Sequence, residues 1–236
     1  MTKTIVILHG WQSKIDRWDY FKKKLTEKGF LVYLPLLPGF GINKLTLPHN
    51  LTNYCLWLKK YFVNNKIKRP ILIGHSNGGR IAIKYVAEQG NIDKLILIAS
   101  AGIKPKITFK KIIGLFLAKT GKILFSFSLF SMFKRAARWL LYQFLRESDY
   151  YQADDILKKT MINILNEDLK DKLKDIKVPT LICWGEKDKS TPIADAYLIK
   201  KRINKSTLLT WENVGHGLPF EKKDELLTQI ISFCQK

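Results

Sequence analysis

A short apolar run leads directly into a serine flanked by glycines: Ile71-Leu72-Ile73-Gly74-His75-Ser76-Asn77-Gly78-Gly79. The run predicts a buried strand, and the residues after it predict a helix that begins near Gly79. A serine at such a turn is held in strained backbone geometry only if its neighbours two positions away lack bulk, and Gly74 and Gly78 meet this need. Ser76 is therefore expected to present its hydroxyl at a helix N-terminus, directed at a cleft. A tight turn with an N-capping serine is the alternative interpretation.

The rest of the chain alternates apolar runs with segments of helical periodicity. Most runs are apolar at consecutive positions, as in strands that helices bury on both faces. The further predicted strands are Thr4–Leu8, Leu31–Leu34, Leu95–Ala99, Leu181–Trp184 and, more weakly, Thr207–Trp211. Helical stripes between them contain Trp18/Phe21/Leu25, Leu51/Tyr54/Cys55/Leu58/Tyr61/Phe62 and Leu226/Leu227/Ile230/Ile231/Cys234. The pattern predicts an α/β fold with a mostly parallel, doubly wound sheet, whose functional loops follow the carboxyl ends of the strands.

One long region interrupts this alternation, because helical stripes replace the strand candidates. From Lys104 to Arg146 the chain carries ten Lys and Arg residues and no acidic residue. Its longest uncharged stretch, Ile123–Phe133, has 11 residues, whereas about 20 are needed to span a bilayer. We predict a core made of residues 1–102 and 176–236, with residues 103–175 inserted as a helical cap over the sheet edge. A membrane-facing role for the apolar stripes of the cap is the alternative to packing between cap and sheet.

The composition indicates a folded and strongly basic chain. The 236 residues are 46% hydrophobic and include only 14 Gly and 8 Pro, which excludes disordered and collagen-like classes. There are 41 Lys+Arg against 20 Asp+Glu, giving a formal charge of +21, and 34 of the basic residues are scattered lysines. A nucleic-acid surface more often clusters arginine with aromatic residues. We therefore expect no specific nucleic-acid partner. Weak association with anionic surfaces stays open.

The cysteines and the N-terminal residues bear on the compartment. Cys55, Cys183 and Cys234 are widely spaced and odd in number, with no ligand-like Cys/His spacing. This indicates reduced thiols and no structural zinc. The first residues run directly into strand Thr4–Leu8 without a signal-peptide pattern. We expect a cytoplasmic protein that needs no metal or cofactor.

A serine hydroxyl is a poor nucleophile unless a base takes its proton and a carboxylate orients that base. Of the four histidines, His9 ends a strand, His49 precedes a helix, and His75 adjoins Ser76 and is expected to point away from the hydroxyl. His216 follows the last predicted strand on a loop flanked by Gly215 and Gly217. A glycine-flanked loop can carry an imidazole to the serine, so His216 is the predicted base.

The predicted acid follows strand Leu181–Trp184, in the segment Gly185-Glu186-Lys187-Asp188. Glu186 is nearer the strand, but we expect the turn to bring Asp188 round to the His216 loop. No carboxylate follows strand Leu95–Ala99 to compete with it. The resulting order Ser76…Asp188…His216 is the order of one specific hydrolase fold.

A tetrahedral intermediate also needs donors for its oxyanion. We predict that these are two backbone N–H groups. One belongs to Asn77, directly after the nucleophile. The other belongs to Trp11, in the loop after the first strand, where Gly10 permits the turn.

Together these residues resemble the α/β-hydrolase superfamily over nearly the whole chain. His9-Gly10-Trp11 is similar to the family's oxyanion loop, and Gly74–Gly79 matches its G-H-S-x-G-G motif. The matching segments elsewhere are Pro35–Gly41, Val178–Asp188 and Val214–His216. The resemblance implies the capped branch, which includes carboxylesterases, lactonases, thioesterases, haloperoxidase-like esterases and carbon–carbon bond hydrolases.

The chain also departs from the family pattern. Leu36 stands where many members have Asp, and Asn43 where many have Ser, which we expect to loosen the loop beside the cleft. The amino-terminal hairpin of many members is missing, which predicts a compact sheet of about six strands. Because the nucleophile is Ser76 rather than Asp, the pattern argues against dehalogenases and epoxide hydrolases.

The expected function is hydrolysis of carboxylic esters or lactones of short to medium acyl chain through an acyl-enzyme. Aromatic residues of the cap are the expected substrate-binding surface: Phe109, Phe116, Phe130, Trp139 and Tyr142. Three alternatives stay open. They are a carbon–carbon bond hydrolase or thioesterase on the same scaffold, a non-catalytic ligand-binding relative, and association with lipid or nucleic acid through the charge.

Overall fold

The computed structural model describes residues 2–11, 15–104 and 155–236. The predicted cap residues Phe109, Phe116, Phe130, Trp139 and Tyr142 lie outside these ranges. Within the described ranges, no helix has the length and apolar content that crossing a bilayer requires.

Six parallel strands form one sheet, as the consecutive apolar runs predicted. They are β1 (Thr4–Leu8), β2 (Leu31–Tyr33), β3 (Ile71–His75), β4 (Lys94–Ile98), β5 (Thr180–Gly185) and β6 (Ser206–Trp211). The order across the sheet is β2-β1-β3-β4-β5-β6, and every neighbouring pair is parallel. The chain order reverses beside β1 and β3, so the loops that leave these two strands open a crevice at the carboxyl edge.

The helices connect the strands and cover both faces of the sheet. They are α1 (Asp19–Glu27), α2 (Leu51–Asn64), α3 (Asn77–Gln89), α4 (Asp155–Asn166), α5 (Ile193–Arg202), α6 (Leu218–Glu221) and α7 (Lys223–Gln235), with 3-10 turns at Ile15–Trp18 and Lys170–Asp175. Strand β1 shows why its run is continuously apolar. Ile5 and Ile7 pack with α1 and α7 on one face, whereas Val6 and Leu8 pack with α2, α3 and α5 on the other.

Helix α3 begins at Asn77, two residues before the predicted start near Gly79. The reason is local, because the carbonyl of Ser76 already accepts hydrogen bonds from the N–H groups of Gly79 (3.0 Å) and Arg80 (3.2 Å). The chain therefore enters the helix directly after the serine.

The region that follows β4 leaves and returns to the core at one place. The N–H of Leu169 donates to the carbonyl of Gly102 (2.9 Å), and the N–H of Lys104 donates to Oδ1 of Asp168 (3.3 Å). On the returning side, Ile164 of α4 and Leu169 are buried in the core. We call these paired residues, 102–104 and 167–169, the neck.

Candidate active site

The turn between β3 and α3 holds Ser76 in a backbone conformation that few residues adopt. Its φ is 51° and its ψ is −117°, in the left-handed half of φ space. The positions two residues before and after it require glycine, because the neighbouring backbone leaves no room for a Cβ. A Cβ on Gly74 would lie 2.5 Å from Cα of Gly79, and one on Gly78 would lie 2.1 Å from the carbonyl oxygen of Leu8. Only glycine at both positions lets the serine occupy this turn.

Three side chains from separate loops form one hydrogen-bonded chain at the carboxyl edge of the sheet. Nε2 of His216 lies 3.0 Å from Oγ of Ser76, and Nδ1 of His216 lies 2.7 Å from Oδ2 of Asp188. A carboxylate only accepts, so Nδ1 carries the imidazole proton and Nε2 is left to accept from the serine hydroxyl. The structure thus brings together the three residues that the sequence order indicated.

Of the three side chains in this hydrogen-bonded series, that of Asp188 is the most enclosed, and it is fully buried. Its Oδ1 accepts from the N–H groups of Ser190 (2.8 Å) and Thr191 (2.9 Å), and its Oδ2 accepts from the Thr191 hydroxyl (2.8 Å). Burial acts to raise the pKa of Asp188. The hydrogen bonds from His216 and Thr191 outweigh burial, so the pKa lies below its ordinary value. The group therefore stays ionised beside the imidazole.

The two loops that carry Asp188 and His216 are joined by backbone contacts. The N–H of Lys187 donates to the carbonyl of Val214 (2.9 Å), and a Cβ on Gly185 would lie 2.4 Å from that same oxygen. The N–H of Asp188 donates to Gly185 (3.2 Å), closing the turn that brings the acid round. Glu186, the other carboxylate considered, is exposed and accepts from the Thr210 hydroxyl instead.

The loop after β1 lies directly against the serine turn. A Cβ on Gly10 would lie 3.3 Å from Cβ of Ser76, a tight contact that a glycine avoids. Trp11 follows, with its ring edge-on to Phe40 at 5.0 Å. On the other side of the serine, the N–H of Asn77 is the first of α3 and has no partner one turn earlier in the helix.

Buried His9 connects this loop to the segment after β2. Nδ1 lies 2.7 Å from the Gly10 carbonyl and donates to it, while Nε2 accepts from the N–H of Leu37 (3.0 Å). Burial lowers the pKa of His9, against the opposing effect of the hydrogen bond to Gly10. A neutral ring is what this pair of bonds needs, since a protonated Nε2 could not accept.

The loop after β2 contains both departures from the family pattern, and Asn43 makes hydrogen bonds across it. The amide of Asn43 donates to the carbonyl of Leu36 (2.9 Å), and the carbonyl of Asn43 accepts from the N–H of Gly39 (2.6 Å). These two bonds close the loop on itself. Asn43 therefore fastens the segment.

Two functional neighbours were not singled out as such from the sequence. Nε2 of His75 contacts the backbone of His216, which sequence spacing does not reveal. Arg80 is 2% exposed, and its guanidinium donates to the carbonyls of Ile164 (2.7 Å) and Glu167 (3.1 Å). The sequence offered one signal for Arg80, because a charged residue directly follows glycines that face the sheet. Among the described residues, no group of three or more His, Cys, Asp or Glu side chains could hold a metal ion.

Parallel strands in this order, with the serine at the turn after β3, define the class of the α/β hydrolases. Residues 1–223 match the hydrolase family described as serine aminopeptidase, S33, and the chain belongs to that family. A relative, the AB hydrolase superfamily protein YisY of Bacillus subtilis (strain 168), is 30% identical, and the match covers 98% of this chain and 91% of the relative.

Solved structures share the fold. The esterase from Exiguobacterium antarcticum superposes with a TM-score of 0.77 at 24% identity, covering 99% of this chain and 92% of that one. The enol-lactonase from Burkholderia xenovorans LB400 gives a TM-score of 0.76 at 17% identity, covering 100% and 92%. The chain is thus a hydrolase with the α/β-hydrolase fold, and the predicted fold class is confirmed.

Proposed function

We propose that the protein is a serine hydrolase that cleaves carboxylic esters or lactones of short to medium acyl chain through an acyl-enzyme. The observation that carries the proposal is the continuous hydrogen-bond chain from the hydroxyl of Ser76 through His216 to Asp188. The similar structures are those of an esterase and an enol-lactonase, so this class of substrate occurs on the fold.

In the first half-reaction, Oγ of Ser76 attacks the carbonyl carbon while Nε2 of His216 takes the hydroxyl proton. Asp188 stabilises the imidazolium through Nδ1. The backbone N–H groups of Trp11 and Asn77 are the proposed donors to the oxyanion. Collapse of the tetrahedral intermediate breaks the carbon–oxygen bond of the ester, and the proton on Nε2 passes to the leaving alkoxide.

In the second half-reaction, water attacks the acyl-enzyme and gives its proton to His216. The new tetrahedral intermediate releases the carboxylic acid, and the proton returns to Oγ of Ser76. For a lactone, the leaving alkoxide belongs to the same molecule as the acyl group, so the product is one hydroxy acid.

We further propose that residues 103–175 form a cap that sets acyl-chain preference, with Phe109, Phe116, Phe130, Trp139 and Tyr142 supplying apolar surface. The neck supports this assignment, because the carbonyl of Glu167 accepts from Arg80 of α3 (3.1 Å), the helix that starts directly after the serine. An insertion whose chain leaves and re-enters the core through the neck is joined to it close to the site.

The test is a panel of p-nitrophenyl esters of increasing chain length and of lactones, with a thioester and a vinylogous diketone for the competing reactions. Ser76→Ala is expected to lower kcat by about 10⁵- to 10⁶-fold on the preferred substrate. Ser232→Ala, an exposed serine on α7, is the matched control and should keep wild-type rates.

A fluorophosphonate probe should label the wild type and the control at Ser76, and it should leave Ser76→Ala unlabelled. Esterase activity that survives in Ser76→Ala would overturn the proposed mechanism. Turnover of the diketone with no ester hydrolysis would assign the carbon–carbon reaction instead.

A further inference from the structure

The ring of His75 lies beneath the proposed catalytic chain, at the last position of β3. It is 5% exposed. Its neighbours are aromatic: Trp18 at 5.7 Å, Phe220 at 6.0 Å and the ring of His216 at 5.2 Å between centroids, tilted by 37°. The mechanism above gives this imidazole no proton to move, so its position requires a separate explanation.

The two nitrogens of His75 face two different loops. Nε2 lies 3.3 Å from the backbone carbonyl oxygen of His216. Nδ1 is buried with no hydrogen-bond partner among the described residues, and a Cβ on Gly10 would lie 3.0 Å from it. The ring therefore fills the space between the loop that carries Trp11 and the loop that carries His216.

These contacts define the tautomer. A carbonyl oxygen only accepts, so the proton of a neutral His75 ring belongs on Nε2, and the unpartnered Nδ1 carries the lone pair. Burial, with a smaller contribution from His216, lowers the pKa of His75 to about 3. A ring that stays neutral keeps its donor on the carbonyl and adds no positive charge beside the imidazolium that forms on His216.

We propose that His75 is a positioning residue that holds the His216 loop in register with Ser76 by donating from Nε2–H to the His216 carbonyl. The proposal rests on the proposed function for the role of His216, but the contact itself is independent of the substrate. Because His75 and Ser76 are adjacent in sequence, the same turn that presents the nucleophile also fixes the backbone of its partner.

The experiment compares three substitutions. His75→Gln keeps an N–H donor at nearly the same reach, His75→Asn is too short to reach the carbonyl, and His75→Phe keeps a ring without a donor. We expect the Asn and Phe variants to lower kcat on p-nitrophenyl esters on the order of 10- to 100-fold with KM nearly unchanged, and Gln to recover most of the loss. Asn keeps the proposal testable if Phe does not fold.

A second readout does not depend on turnover. The Nδ1–H of His216, which donates to Asp188, can be followed by nitrogen and proton NMR. Its resonance should be broadened or shifted in the Asn and Phe variants and should return to its wild-type position in the Gln variant. His49→Phe is the matched control. It removes a ring-to-carbonyl contact to Leu47 (3.2 Å) without touching the three-residue chain, and it should change neither readout.

The outcomes separate the two proposals. Wild-type protein that neither hydrolyses esters nor reacts with fluorophosphonate would refute the proposed function, while the His216 resonance would still test the His75 contact. Phe and Asn variants with wild-type kcat and wild-type His216 resonances would overturn the positioning role. So would a Gln variant as impaired as Phe in both readouts, since packing alone would then explain the effect.

Discussion

The two halves of helix α3 carry polar groups for different purposes. At its start, Ser76 begins a hydrogen-bonded chain through His216 to Asp188, in which the serine hydroxyl and the imidazole can exchange a proton. Further along, the buried cations Arg80 and Lys84 face the returning side of the neck. Arg80 donates to backbone carbonyls, and Nζ of Lys84 lies 2.6 Å from Oε1 of Glu167 and 2.9 Å from the Thr52 hydroxyl.

The difference lies in what the charges do. In the first group, protonation changes during the proposed reaction, so its geometry serves the rate. In the second group, burial lowers the pKa of Arg80 to about 10, which leaves the guanidinium charged at neutral pH and serving only as a fixed donor. Substitutions in the first group should therefore lower mainly the rate. Substitutions in the second group should lower mainly the free energy of unfolding.

The largest expected effect belongs to the first group. Asp188→Asn should lower kcat by about 10⁴-fold, because the amide favours the wrong imidazole tautomer on His216. The side-chain oxygen can still accept from Ser190 and Thr191, so the melting temperature should change little. Steady-state kinetics and a thermal melt of the same sample measure both quantities. A variant that loses stability and keeps its rate would contradict the proposed difference between the two groups.

The next effect tests the second group. Arg80→Met should lower the free energy of unfolding by about 3 kcal/mol, because the carbonyls of Ile164 and Glu167 lose a charged donor in a buried place. Urea titration measures the change. The labelling rate of Ser76 by fluorophosphonate should fall far less than in Asp188→Asn. An inactive but fully stable Arg80→Met protein would contradict this assignment.

The pH dependence of stability sharpens the contrast. Burial keeps the pKa of His9 below its ordinary 6.5 and that of His75 at about 3, so the unfolded chain binds protons below pH 6.5 that the native state does not. The free energy of unfolding should therefore fall as pH drops below 6.5, by about 1 kcal/mol per pH unit for His75, and His9 should add to the fall in the same direction.

Asp195 acts in the opposite direction. Burial, together with the charge of Asp188, raises its pKa to about 6, so protonation favours the native state between pH 6 and 3.8. The difference between wild type and His75→Gln isolates the His75 contribution, and it should grow as the pH falls from 6.5. Arg80→Lys keeps the cation, and its profile should run parallel to that of wild type. Equal slopes in wild type and His75→Gln would show that His75 is not held neutral.

The smallest effect is expected at the surface beside the second group. Lys172 pairs with Glu88 at 2.9 Å, with side chains 38% and 31% exposed. Solvent screens such a pair, so Lys172→Ala should change the free energy of unfolding by less than about 1 kcal/mol. A loss as large as that of Arg80→Met would mean that surface charges stabilise this side of α3 as much as the buried guanidinium does.

The strands were predictable because burial on both faces demands apolar residues at consecutive positions. For β1, the predicted bounds Thr4–Leu8 agree with the structure at both ends. Strand β3 extends two residues past its predicted end, to His75, because Gly74 and His75 continue the ladder with Leu97 and Ile98 of β4. Apolarity alone does not reveal ladder pairing.

The meeting of Ser76, Asp188 and His216 followed from where each lies relative to a strand end, a position that parallel topology converts into proximity. The contacts of His75 and Arg80 could not be predicted in the same way. Each joins a side chain to the backbone of a residue 80 or more positions away, at 3.3 Å for His75 and His216 and 2.7 Å for Arg80 and Ile164. A backbone carbonyl has no sequence signature, so such partners emerge only from the folded chain.

The neck joins the inserted segment to the core at one place. Because the N–H of Leu169 bonds to the carbonyl of Gly102, the points where the chain leaves and re-enters the core are held together by a backbone hydrogen bond. A graft between these anchors that keeps α4 and the carbonyls of Ile164 and Glu167 for Arg80 should leave strand register and the serine turn unchanged. The proposed specificity segment can then be exchanged for another between fixed anchors, while the residues of the proposed reaction keep their places.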